Sequence, residues 1–166
     1  MWCADFGDRE EVRRIVILGR GGAGKSTLAV RLGTVLDLPV VELDAHFWGP
    51  DLVPVAKAEW AAVQRELVGA PAWILDGDLG SYDVLEVRLR AADTVLLLDF
   101  PLWRCAWRAL RRSRETWPFW HWLLTYRRRG LPLIHAALAA HAAHADVRVL
   151  RSPRAVTRFL AAVRSP

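Results

Sequence analysis

Cysteine is scarce in this chain, with Cys3 and Cys105 the two examples among 166 residues. Two thiols without patterned spacing exclude a disulfide scaffold and a cysteine-ligated zinc site, and both read as ordinary reduced thiols. Lysine is equally scarce: Lys25 and Lys57 stand against 21 arginines. Long apolar runs are missing as well. Hydrophobic residues make up 53% of the chain, yet no run approaches the roughly 18 residues of a membrane span, because charges interrupt every candidate. The opening MWCADFGDREEVRR carries acids and no apolar core, which argues against a secretory signal. A cytoplasmic protein that does not enter membranes is expected. There is no internal repeat and no low-complexity linker, and the length suits a single domain, 1–166.

What is present is concentrated in ILGRGGAGKSTLAV, residues 17–30. The apolar run Ile15 to Leu18 precedes the glycines, and Leu28, Ala29, Val30, Leu32 and Leu36 follow at helical spacing, so the segment reads as buried strand, tight loop and amphipathic helix. Gly19, Gly24, Lys25 and Ser26 satisfy G-x-x-x-x-G-K-[ST] in the context that pattern requires. Across Gly19, Gly21, Gly22, Ala23 and Gly24 the backbone can wrap an anion and point successive N–H groups inward, and the helix start adds its positive dipole end. Lys25 is expected to reach the β and γ phosphates of a nucleotide, Ser26 to hold Mg²⁺, and Thr27 to lie near the α phosphate. A chain that uses arginine almost everywhere has kept lysine at 25, where a compact point charge suits phosphate.

The remaining pattern alternates strand and helix. Pro39 to Leu43 is a β-branched run closing on Asp44, followed by a loop rich in aromatics, Gly and Pro; Lys57 to Val68 is helical, stopped by Gly69 and Pro71. Ala72 to Leu75 is a buried strand ending at Asp76 and Gly77; Ser81 to Ala92 reads as a helix that Ser81 caps; Asp93 to Phe100 is the most strand-like run, closed by Pro101. A helix is expected over 102–114 and another over TWPFWHWLLTYRRR, with Gly130 and Pro132 separating it from an alanine-rich helix reaching about Ala143. Asp146 to Leu150 is a fifth strand and Pro153 to Val163 the closing helix, with Pro153 in its first turn. Continuous apolar strands alternating with helices predict a doubly wound parallel α/β sheet.

The formal charge of +5 is uneven, with arginines crowded at 104–114 and 127–129. Neutralising the phosphates of a small nucleotide explains the crowding, and nucleic-acid binding is the competing explanation.

With these landmarks in order, the chain resembles the adenylate-kinase-like, nucleoside-monophosphate-kinase branch of P-loop proteins. More narrowly, VVELDAHFW (40–48), WILDGD (73–78) and DTVLLLDFP (93–101) are similar to bacterial adenylate-kinase-like proteins labelled "DNA topology modulation protein". The resemblance covers nearly the whole chain. It implies a P-loop NTPase fold, a five-stranded sheet of order 2-3-1-4-5, and a short helical lid near 113–131 between strands 4 and 5. It implies ATP and Mg²⁺, with Asp76, followed by Gly77, holding the metal through water. Asp99 is the alternative carboxylate, or else a cap for the turn into Pro101. Arg108 and Arg112 would serve the ATP base and phosphates, and Arg127, Arg128 and Arg129 would lie on the far arm of the lid. Asp44 stands beside the acceptor place: it could take the proton of a hydroxyl acceptor, whereas it would repel a nucleotide phosphate. Asp78 adds a second acid, and His46, Phe47 and Trp48 either shape the acceptor pocket or buttress a loop.

The lid departs from the family, since three tryptophans in six residues replace a longer polar insertion. They would bury an apolar acceptor, meet a partner subunit in a homodimer, or fill core. His135, His141 and His144 read as surface residues. The expected function is ATP- and Mg²⁺-dependent phosphoryl transfer to a small molecule, a hydroxyl compound or a nucleoside or nucleotide, by a monomer or homodimer. The alternative is an ATPase or nucleotide-binding regulator acting on nucleic acid or a protein. A GTP switch is disfavoured because no N-K-x-D-like segment follows strand 4.

Overall fold

The computed structural model describes residues 12–48, 53–112 and 117–164. The apolar runs become five parallel strands, β1 (Arg14–Gly19), β2 (Val40–Glu42), β3 (Trp73–Asp76), β4 (Thr94–Leu98) and β5 (Asp146–Leu150). Their order across the sheet is β2-β3-β1-β4-β5, the order expected. The helices are α1 (Lys25–Leu36), α2 (Leu43–Phe47), α3 (Lys57–Val68), α4 (Leu85–Ala91), α5 (Leu102–Arg112), α6 (Trp117–His141) and α7 (Pro153–Arg164).

Because side chains alternate across a strand, each central strand feeds two cores. Val16, Leu18, Leu75, Val95 and Leu97 face Trp60 of α3, Leu89 of α4 and Tyr126, Ile134 and Leu138 of α6. Ile15, Ile17, Ile74, Leu96 and Leu98 face Leu28 and Leu32 of α1, Cys105 of α5 and Leu160 of α7. The register aligns the carboxyl ends of the strands: Asp76 sits opposite both Ile17 and Glu42, and Gly19 opposite Leu98. Ligands of open parallel sheets bind outside that edge.

The loop after β3 is held from beneath by a buried network absent from the sequence reading. Arg88 of α4 is fully buried and grips Asp83 through Nη1 to Oδ1 at 2.7 Å and Nη2 to Oδ2 at 2.6 Å. Its Nη1 also donates to Gln64 Oε1 of α3 at 3.0 Å, and its Nη2 to the Gly77 carbonyl at 3.1 Å. Asp83 further accepts from Gln64, the Trp60 indole and the Leu79 N–H. Burial alone would raise the Asp83 pKa, but the Arg88 guanidinium and these hydrogen bonds outweigh it and hold the carboxyl below its ordinary value. Removing one partner of such a pair leaves a buried charge uncompensated. Asp83→Ala is therefore expected to cost about 3–5 kcal/mol of stability in urea unfolding. The folded pKa is lowered, so the stabilisation from Asp83 is complete above the ordinary aspartate pKa of about 3.9 and is lost as pH falls through the lower folded value.

Three expectations need correction. Asp44 does not end a strand: β2 stops at Glu42, and Asp44 lies in the first turn of α2, where an aromatic loop was expected. The expected helix from Ser81 begins instead at Leu85, after a single 3₁₀ turn over Gly80–Tyr82, with no side-chain cap on α4. Gly130 and Pro132 do not break the helix; α6 runs without interruption from Trp117 to His141. Pro132 forfeits the bond to the carbonyl of Arg128, a residue at the surface where water can take its place. Leu123 and Tyr126 are buried before these residues, and Ile134 and Leu138 after them, so packing overrides the local signal.

Candidate functional site

The turn after β1 brings the glycine-rich segment to the sheet's carboxyl edge. Gly22 adopts φ +75°, and a Cβ there would stand 2.5 Å from the carbonyl oxygen of Cys105 in α5, so the loop passes too close to α5 for any side chain. Gly21 meets the opposite wall, since a Cβ would stand 2.6 Å from Phe119 and 2.8 Å from Trp122 of α6. The phosphate loop thus lies between the two helices that join β4 to β5. Arg108 of α5 donates from Nη1 to the carbonyl of Ala23 at 3.3 Å, which holds its guanidinium over the loop.

A cleft of about 1030 Å³ opens here. One side is formed by Gly21, Gly22, Gly24, Lys25, Ser26 and Thr27 with Arg108 and Arg111; the other is formed by Asp44, Trp48, Asp76, Asp78, Leu79 and Tyr82. Pro118, Phe119 and Trp122 cover it from α6. A smaller cleft of about 190 Å³ shares Gly24, Thr27 and Arg108 with the first and continues toward Arg31, Phe100 and Arg104.

Asp76 is buried, and burial pushes its carboxyl up; the charge of Lys25 and a hydrogen bond with Ser26 pull it down, while Glu42 and Asp44 push it up again. Its Oδ1 has no hydrogen-bond partner although water is excluded from it. Asp78 is raised chiefly by burial too, moderated by Lys25, by Tyr126 and by the N–H of Gly80. Tyr126 donates to Asp78 Oδ2 at 2.9 Å and Gly80 N–H to Oδ1 at 3.1 Å, which orients this carboxylate at the cleft wall. Burial and the adjacent Asp78 raise the Tyr126 phenol well above its ordinary pKa, so it remains a donor. Arg20 lies buried beneath the same ring, 5.2 Å from its centroid.

The expected metal ligands, Ser26 and Asp76, are in contact, and the unpartnered Asp76 Oδ1 is a hard oxygen of the kind Mg²⁺ takes. Among the described residues no three His, Cys, Asp or Glu side chains converge as a metal cage. A site offering one carboxylate and one hydroxyl suits an ion that takes its other ligands from phosphate and water.

Other predicted residues lie elsewhere. Gly19 ends β1 against Leu98, and Gly77 is buried against Leu43, behind the cleft wall. His46 and Arg128 are exposed and do not line the cleft. Arg127 and Arg151 instead approach Asp99 at 3.5 Å and 3.7 Å, so Asp99 serves a surface ion cluster and is not part of the cleft. The side chain of Arg112 and residues 113–116, the start of the expected lid, lie outside the described residues. Of the three lid tryptophans, Trp122 lines the cleft, Trp120 packs on the core and Trp117 is exposed. Arg111, Leu79, Tyr82 and Phe119 were missed. Arg111 stood within the arginine cluster without its own signal, and the others carry no spacing that marks a site.

No protein-family model matches the chain, and no curated protein matches it in sequence. Solved structures do match in fold. Shikimate kinase from Acinetobacter baumannii, in complex with shikimate, superposes with a TM-score of 0.61 at 17% identity, over 92% of this chain and 90% of that one. Shikimate kinase from Bacteroides thetaiotaomicron gives 0.57 at 17%, over 92% and 96%. A gluconokinase from Sinorhizobium meliloti gives 0.56 at 18%, over 94% and 95%. The chain therefore has the fold of P-loop kinases over 92–94% of its length; the topology-modulation label finds no counterpart among these structures. No helix among the described residues is long and apolar enough to cross a membrane.

Proposed function

We propose that the protein is an ATP- and Mg²⁺-dependent phosphotransferase that acts on a hydroxyl of a small molecule. The observation that carries this reading is the two-sided cleft, which pairs the phosphate loop and its cations with a separate wall bearing Asp44 and Asp78. A nucleotide whose triphosphate lies on Lys25, Ser26 and Thr27 would direct its base toward the smaller cleft beside Arg104 and Arg108, leaving the carboxylate wall for an acceptor. The fold shared with shikimate kinase and gluconokinase, both named for small hydroxylated acceptors, supports the same class.

In the proposed reaction the acceptor oxygen bonds to the γ phosphorus, the bond from that phosphorus to the ADP oxygen breaks, and the hydroxyl proton passes to the Asp44 carboxylate. Lys25, Arg108 and Arg111 hold the phosphates and offset the charge that spreads over the transferred group. Ser26 and Asp76 would hold the metal, which would neutralise part of the phosphate charge. Phe119 and Trp122, seated on Gly21, keep water off the transferring phosphate, and this favours transfer over hydrolysis.

Acceptor-dependent release of ADP from Mg-ATP, across a panel of hydroxyl compounds and nucleotides, tests the reading. ADP release that no acceptor stimulates, but that nucleic acid or a protein does, would replace the kinase with the regulator. In the same assay Asp76→Asn is expected to lower Mg²⁺-dependent turnover more than Asp99→Asn does, because Asp99 faces Arg127 and Arg151 outside the cleft. The opposite ranking would move the metal site to Asp99.

A further inference from the structure

We infer that the acceptor carries a protonated amine, as an amino alcohol or amino sugar does, with Asp78 holding the ammonium and the rings of Trp48, Tyr82 and Trp122 enclosing it. This rests on the kinase reading above and specifies its second substrate.

The charge distribution at the acceptor wall is one-sided. Between Asp37 and Ala56, and again between Ala70 and Val87, the sequence contains no lysine or arginine. These stretches supply Asp44, Trp48, Asp76, Asp78, Leu79 and Tyr82 to the cleft. The next arginine, Arg88, is sequestered beneath the wall by Asp83, Gln64 and the Gly77 carbonyl. Arg20 is held under the Tyr126 ring and does not reach the cleft lining. Among the described residues the cations that line the cleft, Lys25, Arg108 and Arg111, belong to the phosphate loop and α5, where a bound triphosphate would engage them. Lys25 is close enough to lower the pKa of Asp78, but its commitment to phosphate leaves Asp78 without that cation of the cleft lining when nucleotide is present. Among the described residues that line the cleft, an anionic acceptor would meet two carboxylates and no guanidinium beyond those placed at the phosphates, whereas a cationic one would complete a buried carboxylate that already has two hydrogen bonds to orient it.

The rings give the same answer. Trp48 and Tyr82 both pack against Phe47, at centroid distances of 4.9 Å and 6.2 Å, and so form one continuous aromatic surface. Trp122 closes from α6 against Gly21 and Gly80, the residue whose N–H binds Asp78. Aromatic faces beside carboxylates attract ammonium groups, and they also cover the carbon skeleton of an amino sugar.

The experiment compares acceptors matched in shape and different in charge: glucosamine against N-acetylglucosamine and glucose, ethanolamine against ethylene glycol, and shikimate and gluconate as anions. At a pH where the amines are protonated, the cationic member of each pair is expected to show a kcat/KM at least roughly tenfold higher. Asp78→Asn should narrow that ratio, which a merely structural role would leave unchanged. Asp78 is buried, so Trp48→Ala and Tyr82→Ala provide the independent arm: both rings are partly exposed, at 39% and 56%, and each substitution should raise the KM of the cationic acceptor several-fold with the KM for ATP little altered. Preferred turnover of a neutral or anionic acceptor would overturn this inference and leave the kinase standing. ADP release that no acceptor of any charge stimulates would overturn both.

Discussion

Lys25→Ala is expected to reduce acceptor-dependent ADP formation by roughly 10²- to 10³-fold or more while the far-ultraviolet circular dichroism stays unchanged. Lys25 opens α1 and lines the cleft, outside both hydrophobic cores, so its removal deletes no packing. What it deletes is the one lysine at the phosphate site of a chain otherwise built with arginine. It also deletes the charge that pulls down the raised carboxyls of Asp76 and Asp78. In the variant those carboxyls should rise further, so Mg²⁺ binding should require a higher pH than in the parent, because the metal needs the ionised form. Lys25→Arg is not expected to restore activity, since a planar fork and a point charge demand different space at a loop this tightly packed. Activity equal to the parent's in Lys25→Ala would end the kinase reading.

Asp44→Asn separates chemistry from binding. If Asp44 takes the acceptor proton, turnover should fall by roughly 10²- to 10⁴-fold with ATP affinity little changed. The side chain is exposed in the first turn of α2 and lines the cleft, and its charge reaches Asp76, so the position fits a group that meets the second substrate near the metal. A rise in acceptor KM alone would make Asp44 a binding residue. A fall in melting temperature without a selective kinetic effect would make it structural. A variant that phosphorylates AMP as well as the parent does would point to an ordinary monophosphate kinase in which Asp44 has no part.

The sheet was legible because its signals are local and redundant. Each central strand is buried on both faces and therefore reads as an unbroken apolar run, as Thr94–Leu98 and Ile15–Leu18 do. The glycine-rich loop was legible for a similar reason, since its pattern lies in consecutive residues. The errors fell where long-range contacts outweigh local propensity. Pro132 is a strong breaker, yet the buried residues on either side of it hold α6 straight through. Asp44 follows β2 so closely that strand end and helix start cannot be distinguished by pattern.

The sequence by itself determined the parallel α/β architecture, the order of elements along the chain and the glycine-rich turn between β1 and α1, because each depends on periodicity or on adjacent residues. Only the tertiary structure decided which side chains share the cleft. Asp44, Asp78, Tyr82, Arg111 and Trp122 come from separate elements and meet at the sheet's carboxyl edge. The same is true of the Asp83–Arg88 pair that supports the wall, joined to α3 through Gln64 and Trp60. Charge and burial at such a site are sums over groups distant in sequence, and those sums exist only once the chain has folded.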